Sequence, residues 1–291
     1  MVLQRLLYPG LALLVLVGAR PAGAAAITFT GNVANDFGST SGVFDVPGLS
    51  NPLDIGQSSA ITNAGDISGW AIKDIALSYD KTTDTMYVGV ETFTNSHGVK
   101  SIAGDAYGSG TETGTDNPPN FGVNTPGSDK SITVAFAPDS PGNSNQPGTP
   151  TVVAGVPANK SANGSGIDGF TVANYAASSA IQTSFGSTLI NNTGALAFNP
   201  NAAHPDFEFT ITNFSHLPGI SVSKGFWVAA YAGSLKDVSV GETYIDFTRV
   251  IVPQPQEIPE PATVLAWSVL AGAVACGRIR RKAAARFARG K

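Results

Sequence analysis

Residues 75–93 read "IALSYDKTTDTMYVGVETF". In the first part Ile75, Leu77 and Tyr79 recur at every second position. After the polar "KTTD", Met86, Val88 and Val90 do the same, with Tyr87 and Phe93 on the opposite face. A period of two marks a β-strand with one buried face. Two such runs joined by a short polar stretch predict a β-hairpin, with Asp80 and Asp84 as turn formers. The pattern returns in "SITVAF" (131–136), "FEFTI" (207–211), "GFWVAAYA" (225–232) and "TYIDFTRVIV" (243–252). "ITFTG" (27–31) and "GVFDV" (42–46) are expected to add edge strands. Roughly eight to ten strands without an amphipathic helix predict an all-β fold, an antiparallel β-sandwich or jelly roll.

The composition agrees. The 291 residues include 33 Gly and 19 Pro, and only 13% are charged, which favours many turns over helices. Residues 104–130 and 138–169 lack periodicity and are rich in Gly, Pro, Asn and Ser, so they read as long surface loops. No internal repeat is evident.

Charge divides the chain. Residues 27–258 hold 20 acidic and 8 basic side chains, whereas 259–291 hold 7 basic side chains against Glu260 alone. An acidic body argues against nucleic acid as a partner, because phosphate binding needs clustered Lys and Arg. The only cysteine is Cys276, so no intramolecular disulfide and no Cys-based metal or catalytic cluster can form.

Motifs that would carry chemistry are scarce. "GSGIDG" (164–169) fits G-x-G-x-x-G but follows loop-like sequence and reads as a glycine-rich loop. "GVPANKS" (155–161) lacks the glycine of a phosphate loop. His97, His204 and His216 are spread without metal-ligand spacing. No G-x-S-x-G occurs, although a Ser/His/Asp triad can arise in any order. In "GDAYGSGTETGTD", Asp105, Glu112 and Asp116 sit among turn-permitting glycines and are candidate calcium ligands, with a solvated loop as the alternative. Trp70, Trp227, Tyr231 and Tyr244 are candidates for a sugar-stacking surface, with core packing as the alternative. Asn163, Asn191 and Asn213 head N-x-[ST] sequons.

The two ends are more explicit. Residues 1–26 have a basic n-region (Arg5), an apolar run from Leu11 to Val17 and small-residue cleavage sites ending at Ala24 and Ala26. This is the layout of a secretory signal peptide. At the other end "VPQPQEIPEP" (252–261) has four prolines in ten residues, so 253–258 is expected to be a stiff linker after a body of 27–252. Residues 262–277 are 16 residues without charge. As a helix they would rise roughly 24 Å against roughly 30 Å of hydrocarbon, a short span that flanking arginines can complete by snorkelling. Arg278, Arg280, Arg281 and Lys282 open the basic tail 278–291, and positive charge orients such a segment with its tail in the cytoplasm.

Pro259-Glu260-Pro261, one apolar segment and an arginine cluster, in that order, resemble the PEP-CTERM sorting signal of Gram-negative bacteria. The resemblance covers 34 of 291 residues, and the tail beyond Lys282 is longer than in many relatives. It implies a substrate of exosortase, an integral-membrane transpeptidase-like enzyme that cuts near Pro-Glu-Pro. It also implies a precursor held in the inner membrane with its body in the periplasm, then a cell-surface or matrix protein in a bacterium that makes exopolysaccharide and biofilm. Pro259, Glu260 and Pro261 would be recognised, the apolar helix would retain the chain and the arginines would orient it. Residues 68–93 and "AGDAYGSG" (103–110) also resemble, loosely, carbohydrate-binding sandwiches of the DOMON and family-9 type. The leading expectation is a non-enzymatic exported surface or matrix protein with no required cofactor. A secreted carbohydrate-binding module and a secreted hydrolase are the alternatives.

Overall fold

The computed structural model describes residues 26–38, 40, 42–109, 130–158, 169–177, 184–190, 193–234 and 241–252. These all belong to one of the chain's two compact units, Gly23–Gln254. The signal sequence through residue 25, the linker 253–258, the sorting motif, the apolar segment 262–277 and the basic tail lie outside the described residues. Among the described residues no helix is long and apolar enough to cross a membrane.

The hairpin at residues 75–93 forms as its alternation predicts. Strand β2 (Ile72–Asp80) pairs antiparallel with β3 (Thr85–Thr92), with Tyr79 opposite Met86. Around it lie β1 (Val43–Pro47), β10 (Gly194–Leu196) and β11 (Phe207–Thr212), in the order β1-β2-β3-β11-β10. This five-stranded layer is sheet I. Sheet II contains β4 (Lys130–Ala137), β7 (Val152–Val156), β8 (Thr171–Tyr175), β9 (Phe185–Leu189), β12 (Phe226–Ser234) and β13 (Thr243–Val250), in the order β13-β12-β4-β7-β8-β9. A small hairpin, β5 (Asp139–Ser140) with β6 (Asn143–Pro147), stands apart. Every ladder among the described residues is antiparallel, so the fold is all-β and sandwich-like.

Both sheets feed one core. Ile75, Leu77, Val88, Val90, Phe207 and Phe209 of sheet I cluster with Ile132, Val134, Phe136, Val152, Phe226 and Val228 of sheet II. Each such burial contributes about 1.5–3 kcal/mol. Phe214 lies 5.4 Å from Phe136 and 5.1 Å from Phe226, both edge-on, the arrangement that aromatic quadrupoles favour.

Three expectations are corrected. The stretch 138–169 is not simply loop: it contains β5, β6 and β7. Strand β7 is central, between β4 and β8, and every residue of it is buried. With apolar residues or glycine on both buried faces, "VVAGV" carries no period-two signal. Gly155 makes the close approach to β4 possible, since a Cβ there would meet Ile132 O at 2.2 Å. Residues 27–31 form no strand. Ile27 and Phe29 instead begin a strap that continues into helix α1 (Val33–Phe37) and packs with Ala76 and Tyr87 on the outer face of sheet I. Phe93 lies just past β3 and packs on the central core rather than beside Tyr87.

Gly89 is the seat of this strap. A Cβ at that position would lie 2.6 Å from Val33 Cγ2 and 2.8 Å from Phe37 Cε2. Gly89→Val is therefore expected to lift α1 and destabilise the fold by about 1–3 kcal/mol in urea unfolding. An unchanged midpoint would refute this seating.

Candidate functional site

The acidic-loop candidates divide. Asp105 has no exposed surface. Its Oδ1 accepts from Tyr107 N (2.9 Å), and its carbonyl accepts from Gly69 N. It is therefore an interior organiser of a packed turn rather than part of a solvated loop. Glu112 and Asp116 lie outside the described residues. Among the described residues no group of three His, Cys, Asp or Glu could hold a metal ion.

The aromatic candidates also divide. Trp70 is a core residue with no exposed surface, and its Nε1 donates to Gly104 O at 3.0 Å. Trp227 and Tyr231 point to the outer face of sheet II but are 9% and 3% exposed. Trp227 Nε1 donates to Asp139 Oδ1 (2.9 Å), which Arg249 also grips through Nε (3.0 Å), while Arg249 Nη2 donates to Oδ2 (3.0 Å). Hydrogen bonds from Arg249 hold the Asp139 carboxyl below its ordinary range. Burial, reinforced by the nearby Glu242, pushes the Tyr231 hydroxyl far above its usual pKa. Tyr244, cross-strand from Tyr231, is the open member at 51% exposure. Two residues not singled out from sequence join this face: Tyr175 of β8 and Phe247 of β13, partly buried against Ala135 and Tyr231. For Phe247 the alternation within "TYIDFTRV" points inward with Ile245; the register shift between Val228 and Ala230 of the partner strand is what turns it to this face.

Asp84, Ser215 and His216 converge at the tip of the β2–β3 hairpin, beside an open depression of 290 Å³ lined in part by Tyr79, Lys81 and Ser221. Ser215 Oγ donates to Asp84 Oδ2 (2.9 Å), and His216 Nδ1 meets the same oxygen at 2.9 Å. In a hydrolytic relay the imidazole stands between serine and carboxylate and uses both ring nitrogens. Here serine and imidazole crowd one carboxylate oxygen, and His216 is 79% exposed. Tyr79 OH (2.7 Å) and Ser215 N (2.9 Å) donate to the other oxygen. Burial opposes ionisation of Asp84, but the bonds from Ser215, Tyr79 and His216 outweigh it and hold its pKa low. The group ties the hairpin turn, where Asp84 has φ +50°, to the 3₁₀ turn Phe214–His216.

The densest polar cluster lies where the strap meets β3 and β11. Asp206 has no exposed surface. Its Oδ1 accepts from Thr92 N (3.0 Å) and Thr92 Oγ1 (3.1 Å), and its Oδ2 from Val33 N (2.8 Å) and Lys100 Nζ. Lys100 Nζ also contacts Glu91 Oε1 (3.1 Å), and Lys73 Nζ contacts Glu91 Oε2 (3.0 Å). Asp74, cross-strand from Glu91, is pushed up to about 7 by burial and by the Glu91 charge. On β11, Glu208 Oε2 accepts from Gly31 N (2.7 Å), while its buried Oε1 has no hydrogen-bond partner. Burial and the neighbouring Asp36 raise Glu208 to about 8. Periodicity missed this cluster, because Lys100, Asp206 and the strap are far apart in sequence and lie outside or at the ends of strands.

No family model, no curated protein and no solved structure matches this chain.

The folded pKa of Glu208 is above that of a free glutamate, so its stabilising contribution is complete in acid and is lost as pH rises through the interval from about 4 to 8. Glu208→Gln mimics the protonated acid at every pH. The melting temperature of the variant is therefore expected to exceed that of the wild type at about pH 9 and to converge with it at about pH 4. A difference that does not vary with pH would contradict the assignment.

Proposed function

We propose that this chain is the precursor of an exported, non-enzymatic cell-surface or biofilm-matrix protein, sorted through its C-terminus in a Gram-negative bacterium. The carrying observation is the ordered sequence Pro259-Glu260-Pro261, an uncharged run at 262–277 and the arginine-rich 278–291. The N-terminal signal layout, with small residues at Ala24 and Ala26, supports export. In this reading 262–277 spans the inner membrane, the basic tail stays inside and the body waits in the periplasm. Exosortase reads the Pro-Glu-Pro motif and separates the body from its anchor. An acidic, cysteine-free, sandwich-like β domain suits such a location. The test is mass spectrometry of the mature protein from its native host. A C-terminus near Pro259 that reverts to Lys291 when exosortase is deleted is the expected result. Lys291 retained in both strains would overturn the sorting assignment.

A second reading, carbohydrate binding on matrix polysaccharide, is favoured by one observation. Tyr244, Tyr175 and Phe247 gather beside Trp227 and Tyr231 on the outer face of sheet II. Aromatic faces stack on the apolar faces of sugar rings. If this face binds glycan, Tyr244→Ala weakens retention on native exopolysaccharide by about tenfold without changing the melting temperature. Unaltered retention would set this reading aside.

A further inference from the structure

Lys100, Glu91 and Asp206 form a constellation that exceeds the needs of an ion pair. Lys100 Nζ lies 2.5 Å from Asp206 Oδ2 and 3.1 Å from Glu91 Oε1. The three side chains are 12%, 0% and 7% exposed, in the order Lys100, Asp206, Glu91. The amine thus touches an oxygen bonded directly to the Asp206 carboxyl carbon. On the far side of that carbon, Oδ1 is held by two donors of one residue, the N–H and hydroxyl of Thr92. Val33 N steadies Oδ2. A nucleophile, an acyl carbon, donors on one acyl oxygen and a carboxylate base therefore share one water-poor site.

We propose that Lys100 and Asp206 condense into an intramolecular isopeptide bond, with Glu91 as the general base. A buried ammonium and carboxylate contain the same atoms as an amine and a carboxylic acid, so one proton transfer across the contact supplies the reacting pair. Consistent with this, burial holds the Asp206 carboxyl above its ordinary range although Lys100 pulls it down. Burial likewise opposes ionisation of Glu91, but Lys73 and Lys100 outweigh it and keep that carboxylate charged and able to accept a proton. In the reaction the Lys100 amine lone pair adds to Cγ of the protonated Asp206. Negative charge gathers on Oδ1, facing the two Thr92 donors, as in an oxyanion hole. Glu91 takes a proton from the attacking nitrogen and returns it to the Oδ2 hydroxyl, which leaves as water. One C–N bond forms, one C–O bond breaks and one water is released. No oxidant, metal or cofactor is required. Amide formation is unfavourable between dilute partners in water, but held groups reach effective concentrations of about 10⁵–10⁸ M.

The link would close a loop between residues 106 apart in sequence. It would join the segment after β3 to the start of β11. Disulfides stabilise exported domains by a comparable restriction of the unfolded chain, yet the only cysteine here is Cys276. An amide staple also resists reduction.

The test is peptide mapping of the full chain, purified folded and then digested under denaturing conditions. The expected product is one branched peptide joining the Lys100 and Asp206 segments, lighter than their sum by one water. Trypsin no longer cuts after Lys100 in that species. Lys100→Arg keeps the charge and is expected to return both linear peptides. Glu91→Gln, shown folded by circular dichroism, is expected to retain mostly linear peptides. Linear, unmodified Lys100 and Asp206 peptides from folded wild-type chain would overturn the proposal. A full yield of branched peptide in Glu91→Gln would overturn the role of Glu91. A branched peptide in the chain kept denatured throughout would show that the fold does not drive the reaction.

Discussion

Asp206 has no contact with solvent, yet its carboxyl accepts hydrogen bonds from Val33, Thr92 and Lys100. Burying such a group costs several kcal/mol unless its oxygens are fully paired. The donors come from three separate stretches: the first turn of α1, the end of β3 and the bridge that follows it. No one of them can leave without exposing the others to that cost. The Asp206 backbone N–H, bonded to Gly31 O, adds a second tie to the strap. The seating of residues 27–38 on sheet I, the meeting of β3 with β11 and the position of Lys100 beside Glu91 all depend on this one carboxyl.

How much of this is legible in the sequence depends on whether a strand alternates in residue type, not on whether one face is wet, since β4 and β12 are buried throughout just as β7 is. The β2–β3 hairpin, β4, β11, β12 and β13 are readable because alternation survives in them. Strand β7 is not, because "VVAGV" is apolar or glycine at every position, whereas "SITVAF" of β4 keeps Ser131 and Thr133 between its apolar residues. Ile27 and Phe29 alternate as a strand would, but they belong to the strap, and their partners are Ala76, Tyr87 and α1 rather than a ladder. Single side chains were less legible still. Asp105 looked like a loop carboxylate, but the indole of Trp70 bonded to Gly104 draws that turn into the interior. Tyr244 was visible as an aromatic on a strand. Its company of Tyr175 and Phe247 depended on how β8 and β13 cross the outer face. Lys100 and Asp206 gave no local signal at all, since only tertiary pairing joins them.

The two outer faces of the sheets have different fates. The strap closes much of sheet I with Phe29, Val33 and Phe37 over Gly89, and two buried carboxylates lock it down. Sheet II presents aromatic rings at its outer face, framed by the Asp139–Arg249–Trp227 cluster. The strap commits the outer face of sheet I to the fold's own stability, while on the outer face of sheet II Tyr244 is exposed. The terminal sequences, in the reading proposed above, place the body outside the cell. In that reading they act as addresses, and the β domain is what they deliver.

The central claim is that the Asp206 carboxyl couples the strap, the end of β3 and the start of β11 into one cooperative unit. Native-state hydrogen exchange on Asp206→Ala tests it most directly. The account predicts that amides in 27–38, 88–103 and 205–210 lose protection together, while those of β4 and β12 in sheet II stay protected. Loss confined to residues beside 206, with Val33 and Thr92 amides as protected as in the wild type, would contradict it.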